Sequence, residues 1–145
     1  MLDIQAVNHV GIRVSEKQRS IDFYKSLGFA LGQDTGFEAG HPVVMTHLGG
    51  VTLNLLGPAT AVTGANILMD VDEKYPGITH VALTVASLGE TKATLGELGI
   101  EITGSFSFGG MSAVFIRDPD RNVIELDAYD ESDADDRDDY SSHPD

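Results

Sequence analysis

Two histidines occupy equivalent positions in a motif that the chain contains twice. The motif reads NHVGIRV at residues 8–14 and THVALTV at residues 79–85. Its apolar residues alternate, which predicts a β-strand whose histidine points away from the apolar face. We therefore predict that His9 and His80 face a shared concave surface. Glu125, within the segment NVIEL, lies on an equivalent strand face and would complete a metal site with them.

The three side chains form a ligand set that suits a catalytic divalent metal. Two neutral imidazoles and one carboxylate bind Fe(II), Mn(II), Co(II), Ni(II) or Zn(II) and leave coordination positions open. Substrate oxygens can enter those positions. The pattern therefore predicts a metal-dependent site for a small-molecule substrate.

Composition limits the classes of function. The 145 residues fit one domain, and the absence of cysteine excludes disulfides and zinc–thiolate sites. A formal charge of −14 argues against nucleic acids and anionic membranes as partners, because both require positive charge on the protein. With neither a signal-peptide pattern nor a long apolar run, the expected location is the cytoplasm.

The last part of the chain is strongly acidic. Residues 130–145 contain eight Asp or Glu residues against the single Arg137, a net charge of −7. Such a segment has little apolar surface to offset the entropy of ordering. We predict a disordered, solvated tail there, following a domain over residues 1–129.

Each half of that domain reads as a strand, a helix and three further strands. Module one covers about residues 5–57, a connector covers 58–77, and module two covers about 78–129. Module one is predicted to have strands at 7–14, 29–31, 43–48 and 51–56, and a helix from a Ser15 cap to Gly28. Module two is predicted to have strands at 78–85, 100–103, 111–117 and 123–128, and a helix from a Ser87 cap to Gly99. Such a repeat favours two modules that share one sheet.

The two histidine strands, their spacing and the segment DPDRNVIEL at 118–126 resemble the vicinal oxygen chelate superfamily. This group contains glyoxalase I, extradiol dioxygenases, methylmalonyl-CoA epimerase, and fosfomycin and bleomycin resistance proteins. The resemblance implies an α+β fold in which two βαβββ modules form a curved mixed sheet, a cup that holds a divalent metal. It implies His9, His80 and Glu125 as ligands, and a homodimer, since members of this family commonly pair.

At two positions the residue differs from the one that relatives of known chemistry carry. Asn54 aligns with Glu125 between modules and occupies the place of a fourth ligand in glyoxalase I proteins, a glutamate that also moves the proton; an amide cannot act as that base. Phe115 stands ten residues before Glu125, where extradiol dioxygenases carry an acid–base tyrosine. Both departures leave the reaction class open.

Several other side chains are candidates for the site. We predict Glu125 and His47 as catalytic groups, His47 because it falls late in a strand that could face the cup. Arg13, two residues beyond His9, could steer an anionic substrate. The substrate pocket is predicted to include Asn54, Arg13, Phe115 and Phe108, with Phe106 and Phe108 on an apolar lid over 104–110. Arg117 and Arg121 flank a turn, where solvent exposure is expected.

The predicted function is that of a metal-dependent enzyme of the glyoxalase or dioxygenase type. A lyase or isomerase that stabilises an enolate-like anion and a ring-cleaving dioxygenase are the two enzymatic alternatives. A third alternative is a metal-free protein that sequesters a drug, as bleomycin resistance proteins do. Because a stoichiometric binder does not need the three ligands, their presence favours an enzyme.

Overall fold

The computed structural model describes residues 1–129, and its chain divides into two compact units. The division falls between Val62 and Thr63, within the predicted connector. The predicted acidic tail, 130–145, lies outside the described residues. In residues 1–129, no helix is long and apolar enough to span a membrane.

The first unit has one helix and a four-stranded mixed sheet. Its elements are β1 (Val10–Arg13), α1 (Lys17–Ser26), β2 (Ala30–Asp34), a 3₁₀ turn (Phe37–Ala39), β3 (Val43–Thr46) and β4 (Thr52–Leu56). The strand order is β1-β4-β3-β2, with β1 parallel to β4 and the other pairs antiparallel. The parallel pair requires a crossover, which α1 and the following strands supply.

The second unit repeats this plan. Its elements are β5 (His80–Thr84), α2 (Leu88–Leu98), β6 (Gly104–Phe108), β7 (Met111–Arg117) and β8 (Val123–Ala128). The order is β5-β8-β7-β6, with β5 parallel to β8. The predicted α+β class and the two βαβββ modules are therefore confirmed, whereas the expectation of one shared sheet is not, because each unit has a four-stranded sheet of its own.

One of the two predicted helix caps is correct. The Ser87 side chain accepts a hydrogen bond from the backbone N–H of Glu90 at 3.2 Å, and α2 ends at Gly99, whose φ is 70°. The prediction of a Ser15 cap is wrong, because α1 begins one residue later, after Glu16, with no side-chain cap. The Ser15 hydroxyl instead accepts a hydrogen bond from Arg19 at 3.0 Å.

The strand predictions differ from the structure most clearly in two places. The first strand begins at Val10 rather than at residue 7, so His9 lies just before it. Residues 100–103 are not a strand; the strand is β6, which covers most of the segment predicted to be a lid. Alternation of Phe and Ser in β6 is a strand pattern, and Gly109 and Gly110, with φ of 59° and 82°, make the tight turn to β7. By contrast, the predicted bounds of β7 and β8 agree with the structure.

Alternation gives each sheet one apolar face. In the second sheet, Val114, Ile116, Ile124 and Leu126 are buried on that face, and α2 packs against β7 and β8 with Leu88 and Leu95 in the core. The opposite face, here called the polar face, carries in register the residues His80, Ala82, Thr84, Phe106, Ala113, Phe115, Arg117, Glu125 and Asp127. The fold thus leaves the side chains capable of chemistry on the face opposite the apolar core.

Ser87→Ala should lower the free energy of unfolding by about 1 kcal/mol, because the backbone N–H of Glu90 loses its cap. The measurement is equilibrium urea unfolding. Ser15→Ala is the matched control, since its side chain caps no helix. An equal loss in both variants would contradict the assigned role of Ser87.

Candidate metal-binding site

His80 and Glu125 meet on the polar face. Because β5 and β8 run parallel with Ala82 opposite Glu125, the side chain of His80 leans toward the carboxylate from the neighbouring strand. His80 Nε2 lies 3.4 Å from Glu125 Oε1, and the Glu125 side chain is 9% exposed against 36% for His80. A nitrogen and an oxygen at this separation could occupy two neighbouring coordination positions of one metal ion.

A hydrogen bond to Thr79 fixes the imidazole of His80 on the side away from Glu125. The Thr79 hydroxyl lies 2.8 Å from His80 Nδ1, the nitrogen that faces away from Glu125. When Nε2 is the free acceptor, Nδ1 carries the proton and donates it to the Thr79 oxygen. A hydrogen bond of this kind fixes the tautomer and ring orientation of histidines that ligate metals.

A second carboxyl group lies beside Glu125. Asp127, two residues along β8, is buried, and its Oδ1 has no hydrogen-bond partner among the described residues. Burial, followed by the adjacent Glu125 carboxylate, raises the pKa of Asp127 to about 7. Strand alternation puts Asp127 on the face of Glu125, and the structure shows that it is buried.

Aromatic rings border the pair. The Phe115 ring stands edge-on to His80 with centroids 6.1 Å apart, and Phe106 stacks on Phe115 at 5.7 Å. Phe115 is buried, whereas Phe108, at the end of β6, is 78% exposed. The structure therefore brings Phe115 to His80 and Glu125, and places Phe108 at the edge of the sheet rather than on a lid.

Three predicted site residues, His9, Arg13 and Asn54, lie in or next to the sheet of the first unit. Asn54 pairs with Gly11, so it shares a face with the exposed Arg13. His9 directly precedes β1 and is exposed, with Nδ1 2.7 Å from the Asn8 side-chain oxygen. By strand alternation, His9, Asn54 and Arg13 belong to the same face of this sheet.

His47 does not lie on the face of Asn54, contrary to expectation. It follows β3 in the alternation of Val43 and Met45, both fully buried, so it points to the apolar side. Its ring meets the ring of Phe29 at 5.2 Å, and its Nδ1 accepts a hydrogen bond from the Gly49 N–H. We therefore leave His47 out of the proposed site.

An ion-pair cluster that was not predicted from the sequence involves Arg117 and Arg121. Arg117 and Arg121, expected to be solvated, both bind Asp70, at 3.0 and 2.7 Å. Arg117 is buried, and the two guanidinium groups hold the pKa of Asp70 well below its usual range, with Arg121 the larger influence. The cluster also holds Arg121 at φ 66°, a conformation rare outside glycine. It therefore anchors the β7–β8 turn to the connector.

Residues 1–129 contain no group of three or more His, Cys, Asp or Glu side chains that could hold a metal. His80 and Glu125 supply two donors of a site that needs more. Convergence of His9 with them stays a prediction.

Comparisons with known proteins agree with this fold. The model of the Glyoxalase/Bleomycin resistance protein/Dioxygenase superfamily matches residues 6–126. No curated protein matches the chain.

Among solved structures, a glyoxalase family protein from Enterococcus faecalis is 23% identical, with a TM-score of 0.68 over 87% of this chain and 99% of that one. A lactoylglutathione lyase from Agrobacterium tumefaciens is 17% identical, with a TM-score of 0.64 over 88% and 96%. An antibiotic-binding protein from a Streptomyces species is 23% identical, with a TM-score of 0.65 over 88% and 98%. At these identities the likeness shows the fold alone.

Asp70→Asn should lower the free energy of unfolding at neutral pH by about 2 kcal/mol, because it leaves the buried Arg117 without its carboxylate partner. The pairing stabilises the fold fully above the ordinary aspartate pKa of about 4 and less as the pH falls toward the lowered pKa of the folded state. The difference from the native protein should therefore shrink below about pH 4, as followed by urea unfolding at several pH values.

Asp34→Asn is the matched control for Asp70→Asn. It removes the more exposed ion pair with Lys17, where the loss should be about 0.5 kcal/mol. Equal losses at the two positions, or a loss at Asp70 that stays constant down to acidic pH, would contradict the anchoring role.

Proposed function

This chain belongs to the Glyoxalase/Bleomycin resistance protein/Dioxygenase superfamily, and we propose that it is a divalent-metal-dependent enzyme of the glyoxalase or dioxygenase type. The observation that carries the proposal is the 3.4 Å approach of His80 Nε2 to Glu125 Oε1 on the polar face. The superfamily includes enzymes and also binders, so the metal dependence is the step that requires a test.

The residues present fit a divalent metal. His80 and Glu125 would hold it, with His9 as the third ligand on the basis of its equivalent position in the repeat. When bound, such a metal supplies Lewis acidity toward two neighbouring oxygens of a substrate and stabilises an enolate-like anion. The buried position of the Glu125 carboxylate favours a bound counter-charge, because an uncompensated buried carboxylate is costly.

Neighbouring side chains fix the orientation of these two donors. The Thr79 hydroxyl fixes the orientation of His80, so Nε2 stays directed at Glu125. The Phe115 ring stands edge-on to His80 and gives one side of the donors an apolar neighbour. These contacts hold a ligand pair in position before any substrate arrives, which is the arrangement that catalysis requires.

The choice of reaction class depends on Asn54 and Phe115, which differ from the residues that relatives of known chemistry carry at these positions. Asn54 provides no base for proton transfer, which weakens a strict glyoxalase I reaction, and Phe115 provides no phenol for a dioxygenase. We therefore keep a lyase or isomerase and an extradiol-type dioxygenase as alternatives within the proposal. Fe, Mn, Ni, Co and Zn all suit the donor set.

A metal-free drug-binding protein is the second candidate. The observation that favours it is the stacked pair Phe106 and Phe115, a flat apolar surface suited to an aromatic drug. One structural relative is described as an antibiotic-binding protein. The cost of burying Glu125 and Asp127 without a cation is the reason we place this candidate second.

Assembly and location are part of the same proposal. We propose a cytoplasmic homodimer that acts on a small molecule, with neither nucleic acid nor membrane as a partner. The net charge of −14 supports the exclusion of polyanionic partners.

His80→Ala should abolish stoichiometric metal binding while leaving the fold intact, because it removes one of the ligands. Thr79→Val should weaken metal affinity about 10- to 100-fold, since it removes only the group that orients His80. Metal content after dialysis and calorimetric titration are the measurements.

His47→Ala serves as the control for the metal experiment, because this imidazole lies on the apolar side of the other sheet and should leave metal binding unchanged. Full metal occupancy in His80→Ala would contradict the proposed ligand set.

Asn54→Glu and Phe115→Tyr should separate the reaction classes. In an isomerase, Asn54→Glu supplies a base and should raise trace glyoxalase activity by about 100-fold. In an oxygenase, the same change should block an open position and lower activity, while Phe115→Tyr raises it. The assays use methylglyoxal–thiol adducts and catechols, with metal content measured in parallel. Absence of turnover in every variant, with tight binding of an aromatic drug by metal-free protein, would favour the drug-binding alternative.

A further inference from the structure

The half of the polar face that β6 and β7 form is apolar. Its residues in register are Gly104, Phe106, Phe108, Met111, Ala113 and Phe115. Arg117, at the far end of β7, is the only charged residue of these two strands, all of which the structure describes. Asp70 binds its guanidinium group at 3.0 Å. This half of the face therefore offers a ligand apolar surface rather than charge.

The fold does not require aromatic rings at these positions. In the first sheet, Val44 lies opposite Asn54 as Phe115 lies opposite Glu125 in the second. The edge strand β2, which corresponds to β6, reads ALGQD, and none of its five residues is aromatic. Two sheets of the same strand order thus carry different side chains here. The difference favours a role of the rings in ligand contact rather than in folding.

The rings connect with the proposed metal donors. Phe115 stands edge-on to His80 with centroids 6.1 Å apart, and Phe106 stacks on Phe115 at 5.7 Å, so Phe106 lies at most about 12 Å from the His80 ring. Phe108 follows two residues later on the same face and pairs with Met111. An apolar strip therefore runs from the donors to the edge of the sheet, across the two strand spacings, about 10 Å, that separate β8 from β6.

The two outer rings of this strip are accessible, in contrast to the buried Phe115. Phe106 is half-buried, and Phe108 is 78% exposed. Each ring offers at most about 250 Å² of surface, so the pair falls well short of the about 800 Å² that each partner of a stable protein interface buries. Because the surface is small and continuous with the donors, the occupant that it fits is a small molecule bound at those donors.

We propose that the substrate carries an uncharged aromatic arm, which lies on Phe106 and Phe108 while its two neighbouring oxygens reach a metal held by His80 and Glu125. The proposed function, which this deepens, supplies the metal-bound end of the ligand. Stacking on Phe106 adds to the free energy of burying the apolar arm. A charged or peptide-like arm would meet no hydrogen-bonding side chain on this half of the face short of Arg117, so its loss of hydration would be uncompensated.

Hydroxamates test the arm separately from the head group. Each chelates a divalent metal through two neighbouring oxygens, so one head group can carry different arms. The series is acetohydroxamate, hexanohydroxamate, 4-phenylbutanohydroxamate and succinic monohydroxamate, titrated calorimetrically into the full chain loaded with Zn(II). The phenyl compound should bind about 10-fold or more tightly than acetohydroxamate and about threefold or more tightly than hexanohydroxamate. The succinic compound should gain nothing from its arm.

Two variants separate stacking from apolar contact. Phe106→Leu should bring the aromatic and aliphatic arms to within about twofold of each other, because leucine keeps apolar surface but removes the ring. Phe108→Ser should weaken both apolar arms about threefold or more and leave acetohydroxamate unchanged. Since Phe108 is 78% exposed, its loss should leave the fold intact. The matched control is Leu48→Ser, an exposed apolar residue of the first unit, which should change none of the four affinities.

Backbone chemical shifts of the unsubstituted protein provide a readout that needs no variant. The amides of Phe106 and Phe108 should shift more with the phenyl hydroxamate than with acetohydroxamate. Equal affinity for all four hydroxamates, with Zn(II) bound, would overturn the aromatic arm alone. Shifts of the same amides by 4-phenylbutanol in protein that fails to bind Zn(II) would overturn the metal-dependent function alone.

A contact between two copies of the chain is the competing use of these rings. If Phe108→Ser dissociates a dimer in sedimentation experiments and alters the affinity of no hydroxamate, the rings belong to that contact and the proposed arm is wrong. An unchanged sedimentation coefficient together with weaker binding of both apolar arms is the result expected from a substrate subsite.

Discussion

The register of β5 on β8 is the constraint on which the candidate site depends. These strands are parallel, Ala82 lies opposite Glu125, and the alternation of side chains then puts His80 and Glu125 on one face. A shift of one residue would turn Glu125 toward the apolar core and bring Ile124 or Leu126 to the polar face. Burial of those two apolar side chains therefore fixes the position of the chemical groups.

The second half of the fold adds an anchor at the turn that leads into β8. Asp70, from the connector, binds Arg117 at the end of β7 and Arg121 in the turn. Because Glu125 follows this turn by only a few residues, the anchor limits movement at the start of the strand that carries it. The anchor also engages the Arg117 guanidinium, so the polar face keeps its acidic character.

Local patterns in the sequence were enough to predict both helices, most of the strands and the faces of His80 and Glu125. The apolar alternation of THVALTV and NVIEL predicted that His80 and Glu125 lie opposite the core, and the register agrees. The Asp70 cluster could not be predicted, since its partners are 47 and 51 residues away and no periodicity links them. His47 was assigned to the wrong face because the alternation of Val43 and Met45 continues past the end of β3. The strand β6 was missed because Gly104 and two serines give it a weak strand signal.

The central claim is that His80 and Glu125 hold a divalent metal. The most direct measurement is anomalous X-ray diffraction from crystals of the protein loaded with Mn(II) or Zn(II), which locates the metal independently of activity. We predict one anomalous peak about 2.0–2.3 Å from both His80 Nε2 and a Glu125 oxygen. A metal peak remote from these two side chains, or no peak at stoichiometric loading, would contradict it.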